Sequence, residues 1–115
     1  MLIIWHNPRC SKSRQTLALI EASGHSFEIR RYLEDAPSLD ELKTALKQLG
    51  LDDARAMMRK GEARYKELGL KSVDSVESLL QAMAENPILI ERPIVSDGQT
   101  AIIGRPPETV EKLFS

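Results

Sequence analysis

The sequence predicts one α/β domain, residues 1–115, built on a mixed β-sheet. Three features carry that prediction. The chain opens on a strand–helix–strand unit, Leu2 to Leu33. It closes on a hairpin followed by a short helix. The stretch between them, about residues 38–86, has helical periodicity throughout. A strand–helix–strand unit pairs its strands in parallel, whereas a tight hairpin pairs them antiparallel, so the sheet is mixed.

The first strand is Leu2 to Trp5, a short apolar run with the character of a buried strand. His6-Asn7-Pro8 turns the chain, and Ser11 to Ser23 forms a helix with Leu17, Ala18 and Ile20 apolar. Gly24 supplies the left-handed residue that closes it. Ser26 to Leu33 alternates as a second strand. Ser38-Leu39-Asp40-Glu41 is a capping box that opens a helix carrying Leu39, Leu42, Leu46 and Leu49, ended by Gly50. Asp53 to Met58 and Glu62 to Leu68 read as short helices, and a further helix opens at Asp74-Ser75-Val76-Glu77 and ends before Pro87. Ile88 to Ile90 and Ile94-Val95 read as β-like runs around Pro93. Asp97-Gly98 turns a hairpin into Ala101 to Ile103. Pro106 and Pro107 suit the first turn of a last helix, Glu108 to Phe114. The order is βαβ, a helical insert, then ββα. Without the insert this is the order of the thioredoxin/glutaredoxin-like fold.

Bulk properties narrow the function. The formal net charge is −1, without the basic excess of a dedicated nucleic-acid binder. Aromatic residues are only 4%, so the core rests on aliphatic side chains and Met. A single cysteine excludes an internal disulfide and any multi-cysteine metal site. The opening apolar run is too short for a secretory leader, and no stretch approaches a membrane span. The expected compartment is the cytoplasm, with no membrane or nucleic-acid partner and no metal.

That one cysteine, Cys10, falls where the first strand becomes a helix. A thiol with a pKa near 8.5 is mostly protonated at neutral pH, and a helix N-terminus favours its ionised form through free amides and the helix dipole. Arg9, Lys12 and Arg14 place cations within one turn of the sulfur. Ser13 is positioned to donate a hydrogen bond to it, and His6 lies within reach as a charge partner or proton relay. The same amides suit an oxyanion. Blander readings stand beside these. A lone cysteine is commonly a small buried apolar residue, His6 can simply pack or cap, and a basic helix face is usually just solvated.

His6-Asn7-Pro8-Arg9-Cys10-Ser11-Lys12-Ser13-Arg14 resembles the active-site segment of the glutaredoxin-dependent arsenate reductases. So do Tyr32-Leu33-Glu34, Met57-Met58-Arg59-Lys60, Tyr65 to Leu70, Asn86 to Val95 and Gly104-Arg105-Pro106-Pro107-Glu108, spread over nearly the whole chain. The resemblance implies that Cys10 is the nucleophile toward arsenate and that Arg59, Arg92 and Arg105 bind the oxyanion. It also implies that Pro93 follows a cis peptide bond facing the loop. It implies glutathione as co-substrate, glutaredoxin as partner and no bound cofactor. The cations flanking Cys10 depart from the small uncharged residues that well-studied members carry, which bears on substrate preference. Two other readings share the fold: a Spx-type regulator that binds RNA polymerase, and a glutathione-dependent thiol reductase without arsenate specificity. The regulators carry Cys-x-x-Cys, and Ser13 stands where the second cysteine would be.

Overall fold

A computed structural model describes residues 1–114. The strands are β1 (Leu2–Trp5), β2 (Phe27–Arg30), β3 (Ile94–Ser96) and β4 (Ala101–Ile103), in the sheet order β2-β1-β3-β4. β1 pairs with β2 in parallel and with β3 antiparallel, and β3 pairs antiparallel with β4. The helices are α1 (Ser11–Ser23), α2 (Leu39–Leu49), α3 (Ala63–Glu67) and α4 (Val76–Glu85). No described helix is long and apolar enough to cross a membrane.

The two faces of the sheet feed two cores. Successive strand residues point to opposite faces. In the β1/β3 register Ile4 pairs with Val95 and Trp5 with Ile94. Ile4 and Val95, with Leu2, join Ile20 of α1 and Val110 and Leu113 near the C-terminus. Trp5 and Ile94 face the insert and pack with Tyr32, Leu42, Leu79, Leu80 and Met83. The capping box on α2 is formed in both directions, and Gly24 and Gly50 close α1 and α2 in the left-handed conformation.

Four expected elements differ. The second strand stops at Arg30, because the chain turns with Glu34 and Asp35 N–H both donating to the Arg31 carbonyl. That turn drives Tyr32 into the insert core, where it is fully buried. Ile88 to Ile90 is not a strand: Pro87–Leu89 is a 3-10 turn begun by proline, and only Ile90 bridges, to Met58. Residues Ala54–Met57 and the C-terminal segment Pro107–Leu113 are also 3-10 helices. In the last, the buried residues are Pro107, Val110 and Leu113. A spacing of three lines them up in a helix of three residues per turn, not in an α-helix.

Candidate active site

Cys10 is the N-cap of α1, with extended backbone, and is 9% exposed. It therefore sits at the mouth of the fold between β1 and α1. Burial pushes its thiol up. The Ser13 amide, the Arg92 guanidinium, the Lys12 amide and the Arg105 guanidinium together outweigh that effect, and the thiol lies below its ordinary value. The two amides act at the helix N-terminus without closing a capping hydrogen bond on the sulfur. Arg105 makes direct contact, its Nη2 donating to Sγ at 3.6 Å.

The cations are not those adjacent in sequence. Arg14 donates through Nη1 to the Pro8 carbonyl at 3.0 Å and braces the loop. Arg9 and Lys12 are exposed. The Ser13 hydroxyl also differs from expectation. It lies 2.6 Å from His6 Nδ1 and accepts from the Asn7 N–H at 3.0 Å, so it organises the loop instead of meeting the sulfur. His6 is buried, and burial, Arg31 and Arg14 hold its pKa below the ordinary value. His6 thus meets Ser13 and positions its hydroxyl.

The structure brings Arg59, Arg92 and Arg105 together. They line one open pocket of about 340 Å³, with Lys60, Gly61, Glu62 and Glu91. Backbone pairing brings Arg59 there. Arg59 N–H donates to Leu89 O at 2.8 Å and Glu91 N–H to Met57 O at 2.8 Å, on either side of the Met58–Ile90 bridge. The insert is thereby stitched beside Arg92. Arg105 Nε donates to Arg92 O at 2.8 Å. The Arg92–Pro93 bond is cis, and so is Arg105–Pro106. Cys10 does not line the pocket itself; Arg105 connects the pocket to the sulfur.

Three further residues stand at the site. Glu91 contacts Arg92 Nη1 and Arg105 Nε, each at 3.2 Å, and Glu62 contacts Arg59 Nη2 at 3.1 Å. Tyr32 is raised by burial, with Arg92, the Asn7 side chain and Arg59 acting in the opposite direction. Its hydroxyl and Arg92 Nε are both buried without a hydrogen-bond partner. Glu91 adjoins Arg92 in sequence and Glu62 lies three residues after Arg59, so local spacing could have signalled both, whereas only the folded backbone brings Tyr32 to the site. Among the described residues no cluster of His, Cys, Asp and Glu is placed to hold a metal.

A lone thiol at a strand-to-helix turn, joined through one arginine to a pocket lined by three, defines a thioredoxin-like protein of the single-thiol kind. The chain belongs to the ArsC family, whose model matches residues 5–113. It is 52% identical to the arsenate reductase of Haemophilus influenzae, over 98% of each chain. It is 49% identical to that of Neisseria meningitidis serogroup A, over 96% of each. The solved arsenate reductase of Vibrio cholerae superposes with a TM-score of 0.93 at 54% identity, covering 96% of this chain and 95% of that one.

Proposed function

We propose that this protein is a glutathione- and glutaredoxin-coupled arsenate reductase. The observation that carries the reading is Arg105, which touches the Cys10 sulfur and lines the three-arginine pocket at once. Guanidiniums present forked donors suited to a tetrahedral oxyanion and stabilise charge that builds on its oxygens. The Cys10 thiolate attacks arsenic, forming an S–As bond as one oxygen leaves as water. A glutathione thiolate then attacks the Cys10 sulfur. The S–As bond breaks with its electron pair staying on arsenic, so arsenic(V) becomes arsenic(III) and the two thiols become a mixed disulfide. Glutaredoxin reduces that disulfide and restores Cys10. The resemblance supports this sequence of steps, the arsenate reductase relatives support the overall reaction, and a reducing cytoplasm is the compartment that suits it.

The deciding experiment is arsenite formation by the purified protein with arsenate, glutathione and glutaredoxin, beside Cys10→Ser. The expected outcome is turnover in the wild type and none in the variant. Turnover retained by Cys10→Ser, or a wild type that reduces glutathione mixed disulfides but never arsenate, would defeat the proposal.

A further inference from the structure

The pocket that gathers the arginines also contains a carboxylate that the proposed chemistry does not use. Glu91 turns back into the cluster, and its Oε1 accepts from Arg92 Nη1 at 3.2 Å and from Arg92 N–H at 3.3 Å. The same oxygen lies 3.2 Å from Arg105 Nε. Among the described residues Oε2 accepts no hydrogen bond. The Arg105 guanidinium thus has the Cys10 sulfur at one end and Glu91 at the other. An anion drawn to Arg92 and Arg105 and close to the sulfur must lie beside this carboxylate.

An ionised carboxylate only accepts hydrogen bonds. An oxyanion that keeps a hydroxyl can donate that proton to Oε2 while its other oxygens take the guanidinium donors. An oxyanion with no proton sets oxygen against oxygen in a half-buried site. We propose that Glu91 is a specificity-determining residue: it admits oxyanions that retain a hydroxyl, such as arsenate and phosphate, and rejects fully deprotonated ones, such as sulfate. The inference rests on the pocket being an oxyanion site and refines which oxyanions it takes. One hydrogen bond to a charged acceptor, made or lost, corresponds to about ten- to a hundredfold in affinity.

Glu62 is the internal control. It lines the same pocket and pairs with Arg59, but it does not stand between Arg92 and Arg105. It adds the same charge without the same contact.

Calorimetric titration of the full chain with arsenate, phosphate and sulfate tests the idea at about pH 8. There the first two are mainly dianions with one hydroxyl, and sulfate is a dianion with none. The wild type is expected to bind arsenate and phosphate at least about tenfold more tightly than sulfate. Glu91→Gln offers both a donor and an acceptor and should tighten sulfate about tenfold or more, collapsing the ratio. Glu62→Gln should change all three affinities by a common factor. A wild-type ratio near unity, or an unaltered ratio in Glu91→Gln with arsenate still bound, overturns this inference alone. A wild type that binds none of the three overturns the oxyanion reading and this inference with it.

Discussion

At Cys10 the balance is between burial, which disfavours a thiolate, and amides and guanidiniums, which favour it. The guanidiniums belong to residues more than eighty positions away in the chain, so their part of the downward shift is present only while the fold is. Its folded pKa is depressed. Ionised Cys10 therefore contributes stability that is fully present above the unfolded value of about 8.5 and is lost as pH falls through the folded value. Alkylation by iodoacetamide against pH should give a midpoint below that of a free thiol, and Arg105→Ala should move the midpoint upward. An unmoved midpoint would mean that Arg105 contributes nothing to the sulfur's charge. The turn and helix start that hold Cys10 were legible in Pro8 and the residues after it. The identity of its cations was not. Arg9, Lys12 and Arg14 are near in sequence, yet the strand register decides that Arg92 and Arg105 are near in space.

The junction between α1 and the proline loop is fixed by the absence of one atom. A Cβ on Gly104 would lie 2.5 Å from Thr16 Oγ1 and 2.9 Å from Pro93 Cγ. Neither neighbour can yield cheaply: Thr16 is fully buried with its hydroxyl bonded to the Lys12 carbonyl, and the proline ring is rigid. Gly104 N–H also donates to Pro93 O at 2.9 Å, which keeps the two segments in register. Gly104→Ala should therefore destabilise by about 1–3 kcal/mol, as overpacking does. It should also weaken anion binding, because Arg105 is the next residue. Chemical denaturation and the same calorimetric titration would check both effects, and a variant of wild-type stability would refute the argument. At this scale periodic patterns read well for β1, α2, α4 and the hairpin, whereas α1 buries Ser13, Thr16 and Ile20 and leaves Ala18 exposed, a face its apolar residues do not mark. Two of the segments that departed, Pro87 to Leu89 and Pro107 to Leu113, are those where proline or a three-residue spacing selects a 3-10 turn from an apolar run that looks alike in sequence.

Across the whole molecule, one sheet is shared by two cores. β1 and β3 present Ile4 and Val95 to α1 and the C-terminal turn, and Trp5 and Ile94 to the insert. The insert delivers Arg59, the strand side delivers Cys10, Arg92 and Arg105, and the backbone bonds between residues 57–59 and 89–91 join them. Neither core can open without stripping one face from the same strands, so the domain should melt as one cooperative unit. Leu79 is 1% exposed in the insert core, far from the sulfur's own helix. Leu79→Ala should cost about 2–5 kcal/mol through lost burial and the cavity left behind. For a domain of this size that lowers Tm by roughly 10 °C or more. Trp5, the one tryptophan, packs in the insert core, so its fluorescence reports the interface between insert and sheet. Far-UV ellipticity reports all the helices, including α1 on the other face. In both wild type and variant the two probes should give the same Tm. If Trp5 fluorescence in Leu79→Ala melted well ahead of the ellipticity, the insert would be a separate unit, and Arg59 would be held at the site only as firmly as the insert itself is folded.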